Sequence, residues 1–222
     1  MNLFTMLYEN PRARVDKDAP PKTGIALLFE IVRRDGWDIC KISALCLIAC
    51  LPIITIPAAL SGFHGSLLRI LRDKPGDPWS DFRKGWKENW KKSIPICLFF
   101  LFLTALLRFA IHYYGSQANL SSFFSFVCGA LMLFTAMAIS YAFPMLTLVD
   151  IPTKAIIKNA FLLSLARPHH AIAGIAAAAL MTLIAGLLPV VVLPLWVIFS
   201  FAVTCVIADW AAWHDIKSLI IR

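Results

Sequence analysis

The residues of this chain that could do chemistry are few, and most of them lie in or beside apolar runs. His64 stands in an apolar stretch, and Thr55 lies between Pro52 and Pro57. An ionisable group inside a membrane segment is a functional candidate by default, and helices broken at membrane depth often mark binding sites. The structural alternatives are a neutral His64 bonded to a backbone carbonyl and a Thr55 that satisfies carbonyls freed by the prolines.

Arg108 and His112 are spaced four residues apart near the far end of an apolar run at 94–113. This spacing puts both side chains on one helix face. We expect an outer-side cationic pair whose long side chains reach the headgroups. The more specific alternative is a binding site for an anionic or sugar ligand.

The remaining polar clusters lack the spacing of a metal or catalytic site. His169 and His170 are adjacent, so on a helix they point about 100° apart and chelate poorly. Asp209, His214 and Asp215 share no helical metal face, and a solvated interface is expected for them. The interiors of the clear spans contain no acid, which argues against a proton-driven pump. We therefore predict no catalytic residue, no cofactor, no metal and no enzymatic activity.

Composition places the chain among integral membrane proteins. Its 222 residues are 59% hydrophobic with a mean hydropathy of +0.75. This predicts an all-α polytopic bundle of about six membrane segments. The net charge of +8 lies in the connections between apolar runs, where it orients the chain and meets anionic lipid rather than nucleic acid.

The segment 39–72 organises the rest of the chain, because Pro52 and Pro57 interrupt it. A proline inside a helix removes a hydrogen bond and clashes with the preceding turn. The segment is therefore one kinked span or a hairpin of two short helices that turn at 52–57. Each arm of such a hairpin is about 22 Å long, short of a full crossing, so a re-entrant turn is a further alternative.

The other apolar and polar runs define the expected order of elements. We predict a cytoplasmic tail, two amphipathic helices in the membrane interface, four further membrane helices and an amphipathic C-terminal tail. In chain order these are the tail 1–23, the interfacial helix 24–38, the interfacial helix 79–92, the membrane helices 94–113, 123–149, 154–187 and 189–208, and the tail 209–222.

The interfacial helix at 79–92 carries an aromatic stripe and a basic remainder. The spacing three, four and four places the aromatic residues on one helix face. We expect this helix to lie on the inner leaflet and to contact lipid or a partner; packing of the stripe on the bundle's own cytoplasmic face is the alternative. The contact residues are Trp79, Phe82, Arg83, Trp86, Lys87, Trp90 and Lys91.

The positive charges predict the topology. Of the 21 Lys and Arg residues, all except Arg108 lie in 1–41, 69–92, 150–170 or 209–222. Because positive residues favour the cytoplasm, both termini are predicted there, with the hairpin entering and leaving on the same side.

Two runs resemble a known family. The first is LCLIACLPIITIPAALSGFHGSLLRI, with the Pro-Ile-Ile-Thr-Ile sequence at 52–56, and the second is WSDFRKGWKENWKKS at 79–93. Together they resemble the YesL-like family, a bacterial membrane family also called domain of unknown function 624. The similarity extends to Lys17-Asp-Ala-Pro, to the segment 29–38 and to Ile157-Lys-Asn-Ala. Ser43 and Pro57-Ala58 depart from the family pattern, which weakens any role carried over to the turn.

The resemblance implies a small multi-span protein of the bacterial plasma membrane, often found with carbohydrate ABC-transporter genes, and no established activity. We expect a non-catalytic accessory or interaction protein associated with such systems. Its expected partners are membrane lipids, ABC-transporter permease subunits and, as an alternative, further copies of itself, with no nucleic acid. The second hypothesis is a small solute transporter or channel built around the broken helix at 52–57.

Overall fold

A computed structural model of the chain describes residues 25–72, 76–115, 121–187, 189 and 192–219. These residues form seven α-helices, one short 3₁₀ helix and no strand, which confirms the predicted all-α class. The predicted tail 1–23 lies outside the described residues. The helices are α1 (Ile25–Ala49), α2 (Ile56–Leu71), α3 (Pro78–Gly115), α4 (Ser121–Leu148), α5 (Thr153–Ala166), α6 (Pro168–Ala185) and α7 (Leu193–Leu219), with the 3₁₀ turn at Ile53–Thr55.

The described helices are those of a multi-span membrane protein. Four segments are long and apolar enough to cross a bilayer, and α5 with α6 makes a fifth if that bent pair counts as one span. The sequence predicts about six segments because it counts both arms of the hairpin. The four segments are Ile53–Leu71, Pro78–Gly115, Phe123–Leu148 and Leu195–Ile216.

Two boundaries predicted between interfacial and membrane helices are absent from the structure. The described part of the interfacial segment 24–38, from Ile25 on, and the first hairpin arm are one helix, α1. The segments 79–92 and 94–113 are likewise one helix, α3, which is 38 residues long and continues through Pro95. At 1.5 Å per residue α3 is about 57 Å long, roughly twice the hydrocarbon thickness, so part of it extends beyond the membrane core.

Two further predictions about the C-terminal half are wrong. The segment 154–187 is two helices that meet at an angle of 86°, because Pro168 disfavours helical backbone at Arg167, where φ is −136° and ψ is 66°. The predicted tail 209–222 is not a separate element over its described part, because α7 continues without a break through Ala208 to Leu219.

The proline-broken segment is a hairpin rather than a kinked span. The Cys46 Sγ atom of α1 lies 3.7 Å from the Ala59 carbonyl oxygen of α2, across the break. Ile39 and Ile42 of α1 share one buried cluster with Phe63 and other residues of α2. Two antiparallel arms explain both observations.

The hairpin turn stops far short of the outer end of α3. Helices α2 and α3 are antiparallel, and a Cβ placed on Gly85 would lie only 3.1 Å from the Gly62 Cα. From this crossing, Thr55 lies ~10 Å along α2, whereas Gly115 lies ~45 Å in the same direction along α3. The turn therefore ends ~35 Å short of Gly115, the last residue of α3.

Small residues allow the backbones of α2 and α3 to meet. A Cβ on Gly62 would lie 2.7 Å from the Phe82 carbonyl oxygen, closer than real Cβ contacts allow. Ser61 Oγ donates to the Ala58 carbonyl within its own helix and lies 3.4 Å from the Gly85 carbonyl of α3. Close approach through glycine and serine is a known mode of helix association in membranes, where hydrophobic burial contributes little.

We predict that Gly62→Ala lowers the midpoint of thermal unfolding. The added methyl group would collide with the Phe82 carbonyl oxygen, and overpacking of this kind costs about 1–3 kcal/mol. The midpoint in detergent can be followed with a thiol-reactive dye on the chain's cysteines. Gly129→Ala is the matched control, because nothing lies within 4 Å of its added Cβ and alanine favours the helix. Equal midpoints for the two variants would contradict the packing described here.

Candidate functional site

A buried histidine–aspartate pair joins α2 to α7. His64 Nδ1 lies 2.8 Å from both Asp209 oxygens, so the tautomer with its proton on Nδ1 donates to the carboxylate. The Asp209 side chain is completely buried, and the His64 side chain is 13% exposed. The partner differs from both sequence expectations for His64, which were the hairpin turn and a backbone carbonyl. A carboxylate inside an apolar bundle requires such a donor, because leaving it unpaired is costly.

Aromatic rings enclose the imidazole of His64. The Phe143 ring of α4 stacks on it, with centroids 5.6 Å apart and an interplanar angle of 15°. The neighbouring Phe63 ring meets it edge-on at 5.5 Å. Three helices therefore converge on the pair, and the packing holds the imidazole in one orientation toward Asp209.

A second buried carboxylate of α7 forms a separate network. Asp215 Oδ2 lies 2.7 Å from the Tyr141 hydroxyl of α4, and Asp215 Oδ1 lies 3.5 Å from Arg167 Nη1. The Tyr141 hydroxyl also lies 3.0 Å from the Arg167 carbonyl oxygen, so its single proton is donated to one of these two acceptors at a time. This network fastens α7 to α4 and to the bend between α5 and α6.

The structure corrects two sequence expectations about acids. Asp209 and Asp215 were expected in a solvated interface, and span interiors were expected to lack acids. Both side chains are fully buried and lie within the candidate span Leu195–Ile216. The sequence predicts that the last apolar run ends near Ala208. Helix α7 continues past this residue, so Asp209 and Asp215 lie inside the bundle. Their separation of six residues turns them about 120° apart on a helix, so each faces a different neighbour.

The polar side chain of the hairpin turn, Thr55, forms its hydrogen bonds within the turn. Thr55 Oγ1 lies 2.6 Å from the carbonyl oxygens of both Ala49 and Pro52, and its one proton serves either acceptor. Pro57 is buried at the start of α2, a position where a proline loses no helical hydrogen bond, whereas Pro52 is exposed. Thr55 and the two prolines thus close the turn, and His64 points away from it toward α7.

The cationic pair near the C-terminal end of α3 is on the protein surface. Arg108 and His112 are both exposed and line an open cavity of about 710 Å³ together with apolar residues of the same helix. The cavity is a surface depression along α3.

The aromatic stripe at 79–90 is divided between the two predicted environments. Phe82 is buried against α2, whereas Trp79 and Trp90 are 53% and 45% exposed. Of the basic residues, Lys84 lies 3.9 Å from Glu88, and Lys91 lies over the Trp90 ring at 5.6 Å. The stripe therefore packs on the bundle at its centre and stays accessible at both ends.

Other charged groups hold the same end of the bundle together. Arg69 of α2 donates to Asp81 of α3, and the Arg72 guanidinium lies 4.5 Å from the centroid of the Trp213 ring. Lys92 donates to Asp150, which lowers the pKa of that exposed carboxyl. Among the described residues, no group of three or more His, Cys, Asp or Glu side chains is placed to hold a metal ion.

The comparison with protein families bears on the first three helices. Residues 25–111, which comprise α1, α2 and most of α3, match the family model described as "Protein of unknown function, DUF624". These matched residues are called the DUF624 region below. The resemblance to the YesL-like family, predicted from the motifs at 52–56 and 79–93, is confirmed over this region. No curated protein and no solved structure matches the chain.

The DUF624 region contains His64 but ends well before its partner. Asp209, Asp215 and Tyr141 all lie outside residues 25–111. The buried pair therefore joins the DUF624 helices to the C-terminal helix of the bundle.

We predict that His64 and Asp209 are strongly coupled. His64→Leu or Asp209→Leu alone leaves a buried polar partner unpaired and should lower the free energy of unfolding by about 3 kcal/mol. The double variant removes both polar groups and should lose clearly less than the two single losses combined. Unfolding in mixed micelles by titration with a denaturing detergent measures all four species of the cycle.

His112→Leu is the matched control for the histidine substitution, because His112 is exposed and should change stability little. Strict additivity of the His64→Leu and Asp209→Leu losses would show that the pair contributes no interaction energy.

Proposed function

We propose that this protein is a non-catalytic integral membrane accessory or interaction protein of the bacterial plasma membrane, associated with carbohydrate ABC-transport systems. Both termini are proposed to lie in the cytoplasm, in accordance with the distribution of positive residues. The feature that best supports an interaction role is the pair of outer halves of α3 and α4, here called the α3–α4 arm (residues 96–115 and 121–140).

The α3–α4 arm extends beyond the α1–α2 hairpin and presents large apolar side chains. Its two helices contact each other near the tip, where the Tyr114 and Phe124 rings stack at 5.5 Å. Phe102 is 71% exposed, Phe109 is 68% exposed and Phe126 is 76% exposed. A two-helix arm of this kind offers faces on which the transmembrane helices of a partner can pack.

Arg108 adds a polar feature to the arm. It is exposed on an otherwise apolar stretch of α3, ~10 Å along the helix from Gly115. No described acidic residue lies within ion-pair distance of it. A charged side chain in a membrane helix is costly unless it reaches the headgroups or finds a partner. A carboxylate on a neighbouring subunit would supply that partner.

The carbohydrate association rests on the resemblance to the YesL-like family, whose members often occur with carbohydrate ABC-transporter genes. The bonding inside the bundle supports a structural role for its polar side chains, since those of His64, Asp209, Tyr141 and Asp215 are engaged with one another.

A small solute transporter is the second candidate. The observation in its favour is the buried His64–Asp209 pair, because ionisable pairs buried inside membrane proteins occur on ion and solute pathways. The broken helix contributes less to this hypothesis than the sequence suggests, since Thr55 bonds to its own turn.

The test is extraction of the tagged protein from its native membrane in mild detergent, followed by mass spectrometry of the proteins that accompany it. A photo-crosslinking residue at position 102 should trap a permease subunit, whereas one at position 195 on α7 should trap much less. The two positions are matched in exposure, at 71% and 72%.

Recovery of this chain alone, or only of further copies, from repeated extractions would contradict the accessory role. The transporter candidate then makes its own prediction: reconstituted protein should move solute into liposomes, and Asp209→Asn should reduce that flux at least tenfold while His112→Asn leaves it unchanged.

A further inference from the structure

A groove runs between the last turns of α1 and the first half of α3. Its volume is about 320 Å³, and its lining is mostly apolar. Helix α1 contributes Leu45, Ile48 and Ala49, and α3 contributes the aromatic residues of its stripe and two basic residues. The residues of this α1–α3 groove are Leu45, Ile48, Ala49, Trp79, Phe82, Arg83, Trp86 and Lys87.

The two cations of the groove are available for a ligand. Arg83 and Lys87 are one turn apart on α3, and both side chains are exposed. Among the described residues no carboxylate lies within ion-pair distance of either, whereas their neighbours Lys84 and Glu88 are 3.9 Å from each other. Two unpaired cations on one helix face form a site for an anion, and arginine in particular suits phosphate oxygens.

The apolar part of the groove continues from these cations toward the hairpin turn. Ile48 is 66% exposed, and with Ala49 it ends α1 immediately before that turn. On the other wall, α3 continues past Lys87 into the apolar segment that is long enough to span a bilayer. Cationic and apolar surfaces thus follow one another along the groove, in the order in which a phospholipid presents its headgroup and its acyl chains.

We propose that the α1–α3 groove is a binding site for an anionic phospholipid. The phosphate of the headgroup contacts Arg83 and Lys87, and one acyl chain lies along Leu45, Ile48 and Ala49. Trp79, 53% exposed at the cytoplasmic end of the groove, stands at the headgroup level that indole rings prefer. Charge complementarity selects the anionic lipid, and a zwitterionic lipid of the same chain length gains less from the two cations.

The proposal can be tested by native mass spectrometry of the purified full-length protein with added phosphatidylglycerol or phosphatidylcholine of matched chains. The wild type should retain phosphatidylglycerol preferentially. Arg83→Gln/Lys87→Gln should weaken its binding by at least tenfold, given the usual contribution of each basic residue near an anionic membrane surface. The control Lys84→Gln/Lys92→Gln removes the same charge from the same helix outside the groove, at two lysines that lie against acids, and should change binding less than twofold.

A second variant tests the apolar part of the groove without changing any charge. Ala49→Phe fills the groove and should lower retention of phosphatidylglycerol several-fold, while size-exclusion profile and thermal midpoint report whether the bundle is intact. Arg83 and Lys87 are exposed, so their double variant is expected to fold whether or not Ala49→Phe does.

Three outcomes would overturn the proposal. Equal losses for the two double variants would indicate a general attraction of the basic helix to anionic lipid. Unchanged binding in Arg83→Gln/Lys87→Gln would exclude these cations as ligands. Equal retention of the two lipids by the wild type would contradict the proposed selectivity for the anionic lipid. None of these outcomes depends on whether a permease subunit accompanies the protein.

Discussion

The bundle depends on the pairing of two carboxylates that one helix carries into its interior. Inside a membrane bundle no bulk water is at hand to solvate a charged group, so each acid must find a donor on a neighbouring helix. Asp209 has His64 on α2, and Asp215 has Tyr141 on α4 and Arg167 at the bend. Because α7 supplies residues to both buried apolar clusters, these bonds set its rotation relative to the rest of the bundle.

A second constraint acts in the DUF624 region, where glycine and serine let α2 and α3 approach closely. The contact of Gly62 with Gly85 sets the height of the hairpin relative to α3. The contact of Cys46 with Ala59 sets the position of α1 relative to α2. Since apolar burial does little to join helices in lipid, such close packing and local hydrogen bonds must supply the stability. The Gly62–Gly85 contact therefore determines how much of α3 extends beyond the hairpin turn.

The two proposals use different parts of this arrangement. The α3–α4 arm is exposed because the hairpin stops well short of the end of α3 and leaves the faces of the arm uncovered. The α1–α3 groove exists because Phe82 packs inward while Trp79 at one end of the stripe stays exposed. One helix, α3, therefore contains a segment long enough to span a bilayer toward its C-terminal end and forms one wall of the α1–α3 groove toward its N-terminal end.

Residue types and their spacing determined the fold class of this protein, the break in its first hairpin and its family resemblance. Hydropathy predicted an all-α membrane bundle, Pro52 with Pro57 predicted the break, and the motifs at 52–56 and 79–93 predicted the family that the comparison confirms over residues 25–111. These are local signals, because a proline or an aromatic stripe acts within a few residues of itself.

Only the tertiary structure decided which helices are continuous and where the acids lie. The helices continue through Pro95 and past Ala208, where the hydropathy pattern alone predicts boundaries. The sequence separation between His64 and Asp209 is 145 residues, so no local pattern could pair them. Asp209 and Asp215 resemble a solvated tail by composition, and they become buried because His64, Tyr141 and Arg167 from other helices supply their hydrogen bonds.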